Sequence, residues 1–259
     1  MCRLAPLGLL LVLSVVGCGG AGSSSRAPEA LSPVVERSYG TGPDRVWVFT
    51  PAGRDPRALV VFFHGLGDQA ETTPVNHLPW LRHLAAKGNV VLYPRFEVRP
   101  GAPRALKHAI FGIRTGVAQL KLRLPVVAIG YSRGGGLAFD YTAVAPAVGV
   151  VPRALLAVFP AMLDPPLDMR AVDPRTRYVF LVGDRDTQVR DFGAKDMISS
   201  LASFGYPSTL VRKEIVRSHR GFQATHLSVL DDSPGGRAAF WARADRLIAS
   251  VLQAEGKKS

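Results

Sequence analysis

The sequence predicts an α/β chain with a mostly parallel, doubly wound sheet of about eight strands and helices on both faces. Two observations carry this expectation. A series of short runs rich in Val, Ile, Leu and Phe is apolar at nearly every position rather than at every second one. Such strands have both faces covered. Between the runs lie segments with helical periodicity, and regular strand–helix alternation is the pattern of a parallel sheet sandwiched by helices.

The elements follow in order. Val34–Tyr39 and Val46–Thr50 are β-like, and the turn-rich link Gly40-Thr41-Gly42-Pro43-Asp44 makes them an opening hairpin. Ala58–Phe63 is the first near-continuous apolar strand. Trp80–Lys87 reads as a helix, Asn89–Tyr93 as a strand and Ala105–Arg123 as a long helix. Val126–Ile129 is a strand and Leu137–Val144 the helix beyond it. Ala154–Phe159, Tyr178–Val182 and Thr209–Val216 are further strands, and Val189–Phe204 and Arg237–Leu252 further helices. Pro160–Thr176 holds Pro160, Pro165, Pro166 and Pro174. It can rim a pocket but cannot fold as a helical cap, so no large lid and an open cleft are expected.

Composition narrows the function. The chain has 259 residues, 47% of them hydrophobic, which suits one folded domain with a substantial core and argues against disorder. The net charge is +12, but the basic residues are scattered and form no helical stripe with interleaved aromatics. Nucleic acid is therefore not an expected partner, whereas the anionic lipids and sugars of a cell envelope are compatible ones. The two cysteines, Cys2 and Cys18, support neither a disulfide framework nor a Cys-based metal site. No H-E-x-x-H occurs either, so no metal and no organic cofactor is expected.

The amino terminus reads as an address. Met1-Cys2-Arg3 precedes Leu4–Val16, an apolar stretch too short for a mature membrane span and suited to a signal peptide. Val15-Val16-Gly17-Cys18 resembles a bacterial lipobox, in which the cysteine is diacylated and becomes the new terminus. The expected organisation is a signal peptide over 1–17, a lipidated Cys18 with a flexible tether over 18–33, and a folded domain over 34–254. This places the protein in the bacterial cell envelope, lipid-anchored, at the outer membrane or periplasmic face.

The motif that carries chemistry is Gly130-Tyr131-Ser132-Arg133-Gly134, directly after the strand Val126–Ile129 and before a helix. Strand, sharp turn with Ser at its tip, then helix is the context of a G-x-S-x-G nucleophile elbow. The flanking glycines suit a turn too tight for Cβ atoms. Other predicted strands end on polar groups too: His64-Gly65-Leu66-Gly67-Asp68 after Ala58–Phe63, and Gly183-Asp184-Arg185-Asp186-Thr187-Gln188-Val189 after Tyr178–Val182. His219 and His226 follow the last strand. A serine hydroxyl needs an imidazole to take its proton and a carboxylate to hold the tautomer. The acid is Asp186 or Asp184, and Asp186 could instead cap the following helix. The base is His226 or His219.

Over Val34–Leu252 these motifs resemble the α/β-hydrolase superfamily of serine esterases. His64–Asp68 is particularly similar to bacterial carboxylesterases and acyl-thioesterase-like members. The resemblance implies an α/β-hydrolase fold and hydrolysis of a small ester through an acyl-enzyme on Ser132. It implies backbone oxyanion donors at Leu66 and Arg133, and an acid at Asp186 through a G-x-x-D-x-x-V match at Gly183, Asp186 and Val189. The base is then His226, in the loop before the last helix, and Asp184 a turn former. An amide or peptide hydrolase with the same triad, or a non-catalytic envelope-binding lipoprotein, are the alternatives. His64 reads as a structural member of the oxyanion loop and the Arg133 side chain as solvated. His77, His83 and His108 read as exposed or core-edge residues.

Overall fold

A computed structural model describes residues 31–96, 104–120, 123–164 and 167–256. The expected signal peptide, Cys18 and most of the tether lie outside them. Eight strands form one sheet: β1 (Val34–Tyr39), β2 (Val46–Pro51), β3 (Ala58–Phe63), β4 (Asn89–Pro94), β5 (Val126–Tyr131), β6 (Pro152–Val158), β7 (Arg177–Gly183) and β8 (Val211–Val216). The order is β1-β2-β4-β3-β5-β6-β7-β8. The hairpin β1–β2 joins β4 antiparallel, and every other pairing is parallel.

Apolar runs explain the layering. β3, β4 and β5 are buried at every position, because helices cover both faces. On one face lie α3 (Ala105–Leu120), α4 (Arg133–Val148) and α5 (Phe192–Ser203), which contribute Ile113, Phe139 and Met197 to a core with Val61 and Phe180. On the other lie α2 (Leu78–Ala86) and α7 (Ala242–Gly256), which bring Trp80, Leu84 and Ile248 against Val60, Ile129 and Leu156. Among the described residues there are also two short helices, α1 (Asp68–Thr72) and α6 (Pro234–Gly236), and a π-helical turn over Arg237–Trp241 leads into α7.

The strand order creates the site. The chain steps from β3 to β4 on one side, then crosses to β5 on the other side of β3. The carboxyl ends of β3 and β5 therefore flank a switch point, where open α/β sheets form their crevices.

Several boundaries differ from the sequence reading. α4 begins at Arg133 rather than Leu137, since Gly134-Gly135-Gly136 has poor helix propensity and hides the first turn. Thr209 and Leu210 belong to a 3-10 turn before β8, and α1 was not foreseen. Within Pro160–Thr176 the described residues contain one 3-10 turn, Met169–Ala171, with Met169 and Val172 buried in the core. Pro165 and Pro166 lie outside the described residues.

Candidate active site

Ser132 sits at the tip between β5 and α4 with φ 53° and ψ −124°. That positive φ is unfavourable for a residue with a Cβ, so packing must hold it. The packing is visible at two glycines. A Cβ on Gly130 would lie 2.4 Å from the Gly134 carbonyl oxygen, and one on Gly134 would lie 2.2 Å from the carbonyl oxygens of Phe63 and His64. Only glycine lets the turn close on itself and on the end of β3. Neighbouring backbone bonds fix the corner further: the Ser132 N–H donates to Val158 O at 3.0 Å, and Ala161 N–H to Ser132 O at 2.9 Å.

His226 and Asp186 complete a hydrogen-bonded chain with Ser132. His226 Nε2 lies 2.8 Å from Ser132 Oγ, and His226 Nδ1 lies 2.9 Å from Asp186 Oδ2. A carboxylate only accepts, which puts the imidazole proton on Nδ1 and leaves Nε2 to accept from the hydroxyl. Asp186 is itself fixed, its Oδ1 accepting the N–H groups of Gln188 at 2.9 Å and Val189 at 3.1 Å. Both Asp186 and His226 are buried, while Ser132 is partly exposed. An imidazole so placed can take the serine proton, and a carboxylate so placed can stabilise the resulting imidazolium.

The other candidates sit elsewhere. His219 is exposed, and its Nδ1–H donates to the Arg220 carbonyl at 3.0 Å while its ring packs on Phe222. Asp184 accepts the N–H and the hydroxyl of Ser218, tying the turn after β7 to the turn after β8. Those bonds hold its carboxyl below the ordinary range.

Leu66 lies on the loop leaving β3, beside the elbow. A Cβ on Gly65 would come within 3.3 Å of the Ser132 Cβ, so the loop runs against the nucleophile turn. Among the described residues the Leu66 N–H has no acceptor. Arg133 opens α4, where backbone N–H groups of the first helical turn carry partial positive charge. Its side chain overturns the expectation of a solvated guanidinium. It is buried, and Nη2 donates to Asp164 Oδ2 at 2.8 Å. The pairing draws the loop after β6 over the start of α4 and gives a buried cation the counter-charge it needs. Asp140, also buried, has its carboxyl pushed up to about 7, chiefly by burial. The Leu167 N–H and the Arg133 charge oppose that rise.

The remaining histidines stand outside that hydrogen-bonded chain, His64 in the loop after β3, His77 in a 3-10 turn, His83 on α2 and His108 on α3. His64 is buried with its ring stacked on Phe96 at 4.0 Å, and its Nδ1–H donates to Gly65 O at 2.7 Å. Burial lowers its pKa to about 4. His77 is not exposed or at the core edge as expected: it is buried against Phe62, Tyr93 and Tyr131, and burial lowers its pKa to about 3. His83 and His108 are half-buried, on Asp245 and Asp44.

One contributor was missed from sequence. Tyr131 donates its hydroxyl to the His226 carbonyl at 3.0 Å, and its ring lies 5.2 Å from the imidazole. Its place as the second residue of the G-x-S-x-G run was the only available signal. Among the described residues no group of His, Cys, Asp and Glu could hold a metal ion, and no helix is long and apolar enough to cross a membrane.

No protein-family model matches the sequence, and no curated protein is similar to it. Similarity is found in solved structures. Esterase B from Lactobacillus rhamnosis, in a structure with a tributyrin phosphonate, superposes with a TM-score of 0.66 at 14% identity, over 91% of this chain and 90% of that one. A fungal esterase from Rhizomucor miehei gives 0.62 at 16%, over 88% and 86%. A Pyrobaculum calidifontis esterase gives 0.59 at 19%, over 87% and 86%. With its sheet order and the strand–serine–helix corner between β5 and α4, this chain has the α/β-hydrolase fold.

Proposed function

We propose that this chain is a serine hydrolase that cleaves carboxylic esters through an acyl-enzyme intermediate, with Ser132, His226 and Asp186 as its triad. The observation that carries the reading is the continuous hydrogen-bonded chain from Ser132 Oγ through both imidazole nitrogens to a buried carboxylate. Ser132 Oγ attacks the ester carbonyl as His226 Nε2 takes its proton. The imidazolium then protonates the departing alkoxide, leaving the acyl group on Ser132. Water repeats the sequence and releases the acid.

The tetrahedral oxyanion is assigned to the backbone N–H groups of Leu66 and Arg133, since each stands beside the Ser132 turn. A preorganised donor there contributes about 3–4 kcal/mol to the transition state. Exposed Leu66, Leu163 and Leu227 lie on the segments that leave the carboxyl edge, Leu227 in the 3-10 turn that begins at His226. They offer apolar contact to an acyl chain, and the short Pro160–Thr176 segment suits an open cleft for short or moderate acyl esters. Similarity of fold to esterases supports the same reaction class. The lipobox-like Val15–Cys18 supports attachment to the bacterial cell envelope through lipid on Cys18.

The test is Ser132→Ala against the wild type, with p-nitrophenyl acetate and butyrate as substrates and a fluorophosphonate probe. The variant should lose about 10⁴-fold or more in turnover, take no probe, and keep its melting temperature. Wild-type turnover in a folded Ser132→Ala protein would sink the reading.

A further inference from the structure

Away from Ser132, a cleft of about 370 Å³ opens between α7 and the outer strands β7 and β8. Its walls follow from register. Val179 pairs with Arg212, and Leu181 with Glu214, so Arg212 and Glu214 share a sheet face with Arg177 and Val179. That is the face α7 covers farther in, over β5 and β6. From α7 the cleft receives Arg243, Arg246, Leu247 and Ser250, spaced as one side of a helix. Arg177 opens β7, which is seven residues long. The cleft thus begins about 20 Å along the strand from the edge that bears Asp186.

Charge is the unusual feature. Arg177, Arg212, Arg243 and Arg246 line the cleft, with Arg212 and Arg246 at its exposed rim, and Glu214 is the one carboxylate lining it. Glu214 is shared, 3.2 Å from Arg243 and 3.5 Å from Arg212. Arg177, which is half-buried, and Arg246 have no side-chain partner among the described residues. Leu156, Val179 and Leu247 supply an apolar floor. Arg243 is already engaged, its Nη1 donating to the Ala239 carbonyl at 2.6 Å and its Nε to Glu214. Arg177 and Arg246 therefore carry the excess of guanidinium over carboxylate, and their planar forks suit a multiply charged, oxygen-rich anion. The volume falls at the small end of ligand sites, which run from about 300 to 1,000 Å³.

We propose that this cleft binds a phosphate monoester, its phosphate held by Arg177 and Arg246 with help from Arg212 and Arg243, and its organic group on the apolar floor. The ligand is a soluble phosphate monoester or the exposed phosphate of a lipid headgroup; the recognition chemistry is the same.

Calorimetric titration of the full-length protein with phenyl phosphate tests this. Binding should be saturable, tighter than for inorganic phosphate, and weaker at high salt. Arg177→Gln/Arg246→Gln should weaken it by about tenfold or more, the loss expected for charge-assisted bonds. Arg37→Gln/Arg220→Gln removes the same charge at exposed positions outside the cleft and should leave it nearly unchanged. Amide shifts of the wild-type protein should centre on residues 177–179, 212–214 and 243–250, a readout independent of any variant. Phosphatidylcholine vesicles with and without phosphatidic acid separate the two sources. Retention on phosphatidic acid that the cleft variant loses and the control keeps assigns a lipid headgroup, and phenyl phosphate binding without it assigns a soluble ligand. Absence of saturable binding, equal losses in the two double variants, or shifts centred elsewhere would overturn the proposal.

Discussion

The hydroxyl of Tyr131 reaches the carbonyl of His226 at 3.0 Å across 95 residues of sequence. The residue beside the candidate nucleophile therefore holds the loop that carries the candidate base. Tyr131 ends β5 and Ser132 follows it directly, so this bond ties the elbow to the segment that carries His226. A hydrogen bond of this kind, buried and to a backbone carbonyl, acts on geometry rather than on charge.

Tyr131→Phe keeps the ring and removes only that bond. With about 1 kcal/mol of restraint gone, kcat for p-nitrophenyl butyrate should fall by about fivefold to tenfold with KM little changed. Steady-state kinetics and a melting curve check it. An unchanged kcat would show that the loop is held by packing alone.

The two histidines after β8 should separate cleanly. His226→Ala should lower kcat by about 10⁴-fold or more, because Ser132 Oγ loses the imidazole nitrogen 2.8 Å away. His219→Ala, at an exposed ring bonded to its neighbour's carbonyl, should cost less than about threefold. The reverse ranking in folded variants would move the base to His219.

The same contrast holds for the acids. Asp186→Asn should drop kcat by about 10⁴-fold, since an amide there favours the wrong imidazole tautomer. Asp184→Asn weakens only the bridge to Ser218 and should leave kcat within a few-fold of wild type. Equal losses from both would mean that Asp184 acts through the loop as strongly as Asp186 acts through the imidazole.

Much of this arrangement was legible in the sequence, and what was not has a physical reason. β3 runs over Ala58–Phe63 as read from sequence, because a strand buried on both faces leaves an uninterrupted apolar run. Ser132 announced itself through glycines that close packing demands. The residues by themselves leave His219 and His226 open, and it is the resemblance that points to His226, since only the path of the chain after β8 decides which ring meets Ser132. The burial of Arg133 has no local signal, because its partner Asp164 stands 31 residues away, beyond any local pattern. His77 was misread for a similar reason: its burial depends on Phe62, Tyr93 and Tyr131, brought together by three different strands.

Anchoring is testable apart from catalysis. If Cys18 is the lipidated residue, Cys18→Ser should lack the mass of the diacylglyceryl group and leave the membrane fraction after expression in a bacterial host. Intact-mass measurement and fractionation check it. An unchanged mass and distribution would remove the lipoprotein reading without touching the triad.

The last prediction concerns Asp140, a buried carboxyl beside the Arg133–Asp164 pair whose pKa is raised from 3.8 to about 7. Between those values the folded protein keeps a proton that the unfolded chain has released. Stability contributed by this group is therefore complete below about pH 4, falls as pH rises to about 7, and then levels off. His64 and His77 act in the opposite sense, since burial depresses both. The unfolded chain takes up their protons first as pH drops below about 6.5, so they destabilise the fold toward acid. A wild-type profile would mix the two trends. Asp140→Asn isolates one of them, because asparagine keeps an oxygen for the Leu167 N–H and never ionises. The variant and the wild type should unfold at similar denaturant concentrations near pH 4, and the variant should become progressively more stable than the wild type up to about pH 7. Urea unfolding across that range measures the difference directly. A gap that stays constant with pH would mean that Asp140 is ionised throughout, with Arg133 outweighing the cost of burial.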